Sequence, residues 1–512
     1  MDNDGGTPLA AHAAPVLSNP TRRAFIAGVA ATSAASLLPG TARAAPSQNW
    51  ATNLTALQAS HSIRTGAVTA ERYVAALLEQ AEGARALDIF ISGNGHMLLE
   101  AARDLDIRRR RGRPLGALAG VPLIIKDNID TVAFPTTAGT PALADNRPAK
   151  DAAALAALLG ADGLLFGKAN MHELAFGVTS DNARYEAVHN AYAFDRIPGG
   201  SSGGTATGIA ARVAPAGLGT DTGGSCRIPA SLSGVVGLRP SGGRYPAAGV
   251  VPFSHTRDTI GPMARRVSDV ALLDTLMSGK TYPAPRPLAG LRLGLPEAYF
   301  WSNLDPETEV VARDAVARLK YAGVEFVDVD LPGLQPLLDG IAPILPYEAV
   351  VDLRTYLAQS NTGLTVEQVV AQIASPDVQQ GYQYFLSSPP SQTAYDSAIS
   401  YYRPNLQALF ADCYRQHNIE ALCFPPTPIT APLIGQASVT LGGTATPVMD
   451  AYFHNENPGS AAGLPGLVLP AGLSRSGLPV GIEFDGLANT DSGLLAIGMA
   501  CEKVLPPIRS PW

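Results

Sequence analysis

The sequence has little charge, and the charge that it has is not basic. Charged residues make up 16% of the 512 positions, and the formal net charge is −7 at pH 7. A protein that binds nucleic acid through its phosphates needs clustered Lys and Arg. The one basic run, at residues 108–111, follows a predicted helix, where cations stabilise the C-terminus. We therefore expect no nucleic-acid partner.

Cysteine is also scarce. The chain contains only Cys226, Cys413, Cys423 and Cys501. Four cysteines in so long a chain do not make the disulfide framework that holds small secreted domains together. They allow three complete pairings, among which the sequence does not choose. We expect buried free thiols, and for Cys226 the role of a small buried apolar residue.

The N-terminal stretch TRRAFIAGVAATSAASLLPGTARAAP has the features of an export segment. It contains paired Arg22 and Arg23, a modest apolar run, and a small-residue cleavage pattern that ends at Ala44. It resembles a twin-arginine signal, so we expect residues 1–44 to be removed and the mature protein to be periplasmic or secreted. Its apolar run is too short to span a membrane, and no later run reaches about 18 residues. Stable membrane insertion is therefore not expected.

The mature chain, residues 45–512, alternates helical and strand-like segments. LTALQASHSIRTGAVTAERYVAALLEQAEG predicts two helices separated by a glycine, with Thr69 as the N-cap of the second. GVPLIIKDNID predicts a buried strand that runs into a loop, and GLPGLVLPAGLSRSGLPVGIEFDG predicts two strands around a hairpin. This alternation favours a single α/β domain with a large mixed, mostly parallel sheet covered by helices on both faces. The pattern loosens between about residues 280 and 460, where we predict a variable substrate-pocket region.

Two glycine-rich segments carry three serines that directly adjoin a glycine, and they contain no histidine. GGSSGG contains Ser201 and Ser202, and GLGTDTGGSCRIPAS contains Ser225. A serine hydroxyl is a poor nucleophile at neutral pH and needs a nearby base to take its proton. Lysine replaces histidine as that base in some hydrolases. His172 and His255 could reach the site through space, but we expect them to have structural roles.

Lys126 is the candidate base. It ends the apolar run VPLII and begins the polar segment KDN, so a strand would carry its amine to the edge of a sheet with its stem in the core. Burial favours the neutral amine and lowers the pKa of a lysine from its usual value of about 10.4. A neutral lysine can accept a proton.

The segments KDN, GGSSGG and GLGTDTGGSCRIPAS, in this order, resemble the amidase signature family. Ser201 follows Lys126 by 75 positions and Ser225 follows Ser201 by 24, separations that match the family pattern. The likeness begins near residue 54 and is weakest between about residues 279 and 427. It implies that Ser225 is the nucleophile, that Ser201 is a bridging serine after a cis peptide bond, and that Lys126 is the terminal base.

The glycines around Ser225 permit the close backbone approach that an oxyanion hole requires. The four backbone N–H groups expected to line the hole belong to Thr222, Gly223, Gly224 and Ser225. Three further residues are expected to support the loops: Ser202, Asp221 and Arg227. Asp221 and Arg227 are expected to pair with each other on either side of the nucleophile.

The implied reaction is hydrolysis of an amide through an acyl-enzyme, with a small amide and water as partners. HTRDTIGPMARRVSDVALLD and FDRIPGGSSGGTATGIAAR look most like the branch of indoleacetamide and mandelamide hydrolases, which implies aryl or aryl-alkyl amides. Carbamates, anilides, esters and peptide amides stay open as alternative substrates, and a catalytically inactive exported binding protein is the alternative of another class. We expect no metal and no cofactor, because neither zinc-ligand spacing nor a dinucleotide motif occurs.

Overall fold

The computed structural model describes residues 49–360 and 362–512. The export segment predicted at residues 1–44 lies outside the described residues. The strands are β1 (Phe90–Gly93), β2 (Pro122–Lys126), β3 (Leu164–Ala169), β4 (Ala216–Asp221), β5 (Val236–Arg239), β6 (Thr259–Ala264), β7 (Arg292–Leu295), β8 (Glu325–Asp328), β9 (Ala421–Phe424), β10 (Ser438–Leu441), β11 (Thr444–Pro447), β12 (Gly466–Leu473) and β13 (Pro479–Asp485). β10 and β11 form a small hairpin, and the others form one 11-stranded sheet.

The large sheet is mixed. Its strand order is β1-β3-β2-β4-β6-β5-β12-β13-β9-β7-β8. β2 pairs in parallel with β3 and β4, and β7 pairs in parallel with β8 and β9. The other neighbours are antiparallel, including the predicted hairpin β12–β13, since a short connection can join only antiparallel strands. The expected large mixed sheet is confirmed, with a smaller share of parallel pairs than the sequence pattern indicates.

Both faces of the sheet are covered. Every residue of β2, β4, β6 and β13 is buried. Because successive side chains of a strand point to opposite faces, this burial requires packed layers on both sides. No helix within the described residues has the length and apolar character needed to cross a membrane.

The covering layers are helical. The helices are α1 (Asn49–Asn53), α2 (Ala56–Thr65), α3 (Ala70–Gly83), α4 (Gly95–Arg110), α5 (Ala153–Gly160), α6 (Gly203–Ala210), α7 (Arg227–Ser233), α8 (Val267–Ser278), α9 (Glu297–Phe300), α10 (Pro306–Tyr321), α11 (Leu334–Ile341), α12 (Ile344–Gln359), α13 (Val366–Ala371), α14 (Pro376–Ser387), α15 (Gln392–Ser397), α16 (Arg403–His417), α17 (Val448–Ala462) and α18 (Asp491–Cys501). As predicted, a glycine separates α2 from α3: Gly66 ends α2 in the left-handed conformation, at φ +80°. The hydroxyl of Thr69 caps α3 by accepting a hydrogen bond from the Arg72 N–H, as predicted.

The loosely patterned region is only partly separate from the main core. It contributes β7, β8 and β9 to the large sheet. Its helices α12, α13 and α14 instead pack around a second apolar core that includes Leu353, Val369 and Tyr382. Phe253, from the loop before β6, and Leu174 belong to the same core. The loosely patterned region therefore packs directly against Leu174 and Phe253, which come from the part of the chain that carries the motifs.

The parallel strands bring two of the motifs to one edge of the sheet. β2 ends at Lys126 and its parallel neighbour β4 ends at Asp221. The carboxyl ends of parallel neighbours meet at the same edge, which is where α/β folds form their sites. The loop after β4 carries Ser225, and α7 begins two residues later at Arg227.

Candidate active site

The two glycine-rich segments meet through their backbones. The N–H of Ser202 donates to the carbonyl oxygen of Ser225 at 3.2 Å. The peptide bond between Gly200 and Ser201 is cis, as the family resemblance implies. Ser201 and Ser202 are fully buried, and Ser225 is 8% exposed. The three serines therefore lie together at the end of β4.

Lys126 reaches these serines from the end of β2. Its side chain is fully buried. Its Nζ lies 2.7 Å from Oγ of Ser201 and 2.7 Å from Oγ1 of Thr220. Burial lowers the pKa of Lys126 to about 8, against a smaller opposing effect of the carboxylate of Asp221. A large fraction of this amine is therefore neutral at mildly alkaline pH.

Thr220 and Asn128 fix the direction of the Lys126 amine. The Nδ2 group of Asn128 donates to Oγ1 of Thr220 at 3.1 Å. Oγ1 and the carbonyl oxygen of Thr220 are both acceptors for Nζ of Lys126, at 2.7 and 3.4 Å. When the amine is neutral, its two N–H groups have these acceptors, and its lone pair is left to face Ser201. Sequence reasoning did not assign a role to either residue, although both lie within the quoted motifs.

Ser225 itself makes no side-chain hydrogen bond within the described residues. Its hydroxyl is therefore not bonded to Ser201 here. Hydrogen bonds of a catalytic site are often long in the absence of substrate and shorten in the reacting complex. The geometry brings the Ser225 loop and the Lys126–Ser201 pair together but does not join them into one chain of hydrogen bonds.

Asp221 shapes the loop that precedes Ser225. Its Oδ1 accepts a hydrogen bond from the N–H of Gly224 at 2.9 Å, and its Oδ2 accepts one from Cys226 at 3.0 Å. The N–H of Gly224, one of the four expected to line the oxyanion hole, thus already has an acceptor. An Asp side chain that folds back onto the backbone of its own turn has this effect. Among the described residues, no acceptor engages the N–H of Thr222, Gly223 or Ser225.

Arg227 pairs with Asp221 beneath the loop. Its Nε and Nη2 lie 3.1 Å from the two carboxylate oxygens of Asp221. Arg239, on β5, also contacts Asp221, at 2.9 Å. Burial alone would raise the pKa of Asp221, but the two guanidinium groups hold it well below its usual range. Asp221 therefore stays charged and continues to accept hydrogen bonds from the N–H groups of Gly224 and Cys226.

Two further buried carboxyls face Arg227. Its Nη1 lies 2.5 Å from Glu456 on α17 and 2.7 Å from Glu483 on β13. Burial raises the pKa of Glu456 well above its usual value, and the guanidinium of Arg227 opposes this shift. Glu456 and Glu483 come from distant segments, and no local pattern could have predicted their place in the site.

Ser202 and Cys226 form hydrogen bonds with the backbone and side chains around the nucleophile loop. The hydroxyl of Ser202 donates to the carbonyl oxygen of Thr220 at 3.2 Å. Cys226 is fully buried, and burial raises the pKa of its thiol to about 12. A thiol with that pKa stays protonated and is a poor nucleophile. All four cysteines of the chain are free and buried, as expected.

The side chains of the two histidines have partners other than the three serines. His172 lies between the Thr179 hydroxyl and the Asp377 carboxylate, each at 3.1 Å. The ring nitrogens of His255 face Asp352 at 3.0 Å and Glu348 at 3.4 Å. One ring nitrogen of His255 and one carboxylate oxygen each of Glu348 and Asp352 all lie within 4.8 Å of one another. The sequence did not reveal this cluster, because α12 supplies two of its members from far along the chain.

The surroundings of the nucleophile loop are largely apolar. A cavity of about 200 Å³ has Asn128, Thr220 and Thr222 in its wall, and apolar side chains such as Phe253 line much of the remainder. On another side of the loop, the ring of Phe453 packs directly on Gly223. A mostly apolar wall with a few polar groups gathered in one place is typical of small-molecule binding sites.

Comparison with known proteins agrees with the fold and the motifs. The family profile described as "Amidase" matches residues 72–495. The chain is 42% identical to an indoleacetamide hydrolase of Agrobacterium vitis over 444 residues, which cover 84% of this chain and 93% of that protein. It is 37% identical to a mandelamide hydrolase of Pseudomonas putida over 480 residues, covering 90% and 93% of the two chains.

Solved structures agree as well. The peptide amidase of Stenotrophomonas maltophilia superposes with a TM-score of 0.78 at 27% identity, covering 90% of this chain and 99% of that one. A further amidase crystal structure gives a TM-score of 0.80 at 31% identity and covers 88% of this chain and all of that one. The chain belongs to the amidase family. It is a hydrolase that acts on carbon–nitrogen bonds of linear amides, other than peptide bonds.

Proposed function

We propose that the protein hydrolyses primary amides of aryl-alkyl acids through an acyl-enzyme on Ser225. The observation that carries this proposal is the buried pair in which Nζ of Lys126 lies 2.7 Å from Oγ of Ser201, beside the loop of Ser225. In the proposed reaction, Oγ of Ser225 forms a bond to the amide carbonyl carbon. Its proton passes to Ser201, whose own proton passes to Lys126.

The same relay then runs in reverse. Lys126 returns its proton to Ser201, and Ser201 delivers a proton to the amide nitrogen as the carbon–nitrogen bond breaks. Ammonia leaves and an ester between the acyl group and Ser225 remains. Water attacks this ester with the same assistance, which releases the acid and restores the hydroxyl. The lowered pKa of Lys126 supports this role, because a base that works near neutral pH needs a pKa in that range.

The oxyanion of each tetrahedral intermediate needs hydrogen-bond donors. We propose the backbone N–H groups of Thr222, Gly223 and Ser225, since no acceptor among the described residues engages them. Loss of one such donor raises the barrier of acyl transfer by about 3 kcal/mol. The N–H of Gly224 is left out because it donates to Asp221.

The choice of substrate is based on the named relatives. The indoleacetamide hydrolase of Agrobacterium vitis and the mandelamide hydrolase of Pseudomonas putida share 42% and 37% identity with this chain, and both names describe a primary amide with an aromatic ring near the carbonyl group. The apolar residues around the loop, Phe453 among them, suit such a ring. Peptide amides, carbamates, anilides and esters are the alternative substrates.

A substrate panel tests the proposal. The purified protein is incubated with indole-3-acetamide, mandelamide, phenylacetamide, a peptide amide, an aryl carbamate and an anilide, and ammonia or amine release is followed. We expect the highest kcat/KM among the first three, and a loss of at least about 1,000-fold in Ser225→Ala. A preference for the peptide amide, the carbamate or the anilide would contradict the proposed substrate class. Unchanged turnover in Ser225→Ala would contradict the mechanism.

We also propose export through a twin-arginine signal, on the basis of Arg22 and Arg23 in the N-terminal segment. In a bacterial host with this export route, we expect the protein in the periplasm or the medium, with its N-terminus at Ala45. Replacing both arginines by lysine should retain the full-length chain in the cytoplasm. Cell fractionation and mass spectrometry of the N-terminus measure both effects. Equal export of the double variant would exclude this route.

A further inference from the structure

Thr222 and Asp258 face each other across the end of the sheet. Asp221, the last residue of β4, pairs with Thr259, the first residue of β6. Continuing this antiparallel register by one residue places Thr222 opposite Asp258. Side chains of directly opposed residues lie on the same face and interact. The Thr222 hydroxyl accordingly donates to Oδ1 of Asp258 at 2.5 Å.

The second oxygen of Asp258 holds its own loop. Oδ2 accepts hydrogen bonds from the N–H groups of Phe253 and Ser254 at 2.7 and 2.9 Å. The N–H of Asp258 in turn donates to the carbonyl oxygen of Ser254 at 2.7 Å. Both carboxylate oxygens are thus held by donors, so the position of Asp258 is fixed relative to the turn that carries it.

That turn is anchored to α12. Oε2 of Glu348 accepts from the Ser254 hydroxyl at 2.5 Å and from the Thr256 hydroxyl at 2.9 Å. Glu348 is fully buried. Phe253 packs into the second apolar core. Asp258 therefore presents its carboxylate to Thr222 from a rigid support and not from a freely moving loop.

The loop before the nucleophile is consequently held at two points by two carboxylates. Asp221 binds the N–H of Gly224, and Asp258 binds the side chain of Thr222. Gly223 lies between them and has no side chain to restrain it. The peptide before Thr222 is held through the Asp221 carbonyl oxygen, which accepts from Arg239 at 2.7 Å, and the peptide after Gly223 is held through the Gly224 N–H. The peptide between Thr222 and Gly223 has no such backbone partner within the described residues, so the Thr222 hydroxyl is its nearest restraint.

We propose that Asp258 is a positioning residue, which directs the N–H group of Gly223 at the oxyanion through the Thr222 hydroxyl. The inference rests on the proposed function, since it assigns Gly223 to the oxyanion hole. Asp258 touches neither substrate nor reacting atoms in this role. It acts through Thr222 by fixing the orientation of the loop in advance. Donors that are already oriented when the transition state forms stabilise its charge most effectively.

Thr222→Val is the primary test, because valine keeps the shape of threonine and removes only the hydroxyl. We expect kcat for the best amide of the panel to fall about tenfold with KM changed less than about twofold, since the lost restraint acts on the transition state. Thr222→Ser, which restores the donor, should recover most of the loss. Thr207→Val is the matched control. It removes a buried hydroxyl that donates to the His189 carbonyl at 3.1 Å, and it should leave kcat unchanged.

A double-mutant cycle separates positioning from general destabilisation. If Asp258 acts only through Thr222, Asp258→Asn combined with Thr222→Val should lower kcat no further than the more damaging single variant. An aryl-alkyl boronic acid, which forms a tetrahedral adduct with a serine, should lose affinity in parallel with kcat. Asp258→Asn provides the same comparison if Thr222→Val does not fold.

Two results would overturn the inference. One is a kcat within about twofold of wild type in folded Thr222→Val, and the other is multiplication of the two single effects in the double variant. Both results are compared with the activity of Ser225→Ala. If Ser225→Ala is inactive and Thr222→Val is fully active, the positioning role fails while the proposed function stands. If Ser225→Ala keeps its activity, the proposed function itself fails.

Discussion

Nη1 of Arg227 lies 2.7 Å from Oε1 of Glu483, although 256 positions separate the two residues. Arg227 follows the nucleophile by two residues and opens α7, whereas Glu483 lies in β13. The ion pair therefore joins the loop of the site to a strand near the end of the chain. Both side chains are buried, and Arg227 also contacts Asp221 and Glu456.

Arg227→Met should destabilise the protein strongly. It would leave the carboxylate of Glu483 buried without its guanidinium partner and Asp221 with Arg239 alone, and breaking a buried ion pair on one side costs about 3–5 kcal/mol. Urea unfolding should show a corresponding fall in the free energy of unfolding. Arg318→Met is the control, since its ion pair with Asp314 is about half exposed on both sides and exposed pairs contribute about 1 kcal/mol or less. Equal effects of the two substitutions would contradict this account.

The rate of amide hydrolysis should rise with pH. A base with a pKa of about 8 is mostly protonated below that value, so kcat/KM should fall about tenfold for each pH unit below it and level off above it. Lys126→Ala should remove most amide hydrolysis at every pH. The measurement is a profile of kcat/KM from about pH 5 to about pH 10, a range that extends well to both sides of the pKa of Lys126. A flat profile would argue against Lys126 as the base.

The lowered pKa of Lys126 should also make the free energy of unfolding depend on pH. Lys126 has a pKa of about 8 in the folded protein and about 10.4 in an unfolded chain. Between these values the unfolded chain binds more protons, so the folded state gains stability as the pH rises through this window. Below pH 8 the folded state carries a penalty of about 3 kcal/mol from this shift.

Lys126→Met removes that titration. The difference in free energy of unfolding between wild type and variant should therefore shift in favour of wild type by about 3 kcal/mol between pH 7 and pH 11. Urea unfolding at several pH values measures it, and the difference isolates Lys126 from every other titrating group. A difference that does not change with pH would show that the pKa of Lys126 is not lowered by burial.

The sequence predicted those parts of the candidate site that lie in segments with a local pattern. Lys126, Ser201 and Ser225 were proposed because strand ends and glycine-rich turns have such patterns, and because the motifs occur in the order and at the separations of the family. The partners that hold them were not found, since Glu456, Glu483 and Asp258 meet the loop only through the fold. Their positions depend on sheet order and on packing of α17, neither of which has a local pattern.

The oxyanion hole shows the same limit at a finer scale. Four consecutive N–H groups were expected to line it, because a glycine-rich turn can direct all of them inward. The side chain of Asp221 takes one of these, at Gly224. Which backbone donors stay free depends on where nearby carboxylates point. That orientation is fixed by Arg227 and Arg239, whose contacts span the sheet and are invisible in a single motif.

Gly223→Ala should inactivate the enzyme for a steric reason that a second substitution can relieve. A Cβ at Gly223 would collide with the ring of Phe453, which belongs to α17. The backbone of Gly223 does not have the positive φ that disfavours other residues, so the ring is the obstacle. We expect Gly223→Ala to lower kcat/KM for the aryl-alkyl amides at least about 100-fold, since a shift of about 1 Å in a catalytic loop has an effect of this size. The double variant Gly223→Ala with Phe453→Ala should regain at least about tenfold of that loss, measured on the same substrates and against Phe453→Ala alone. Failure of the second substitution to restore any activity would show that alanine disturbs the loop through its backbone and not through Phe453.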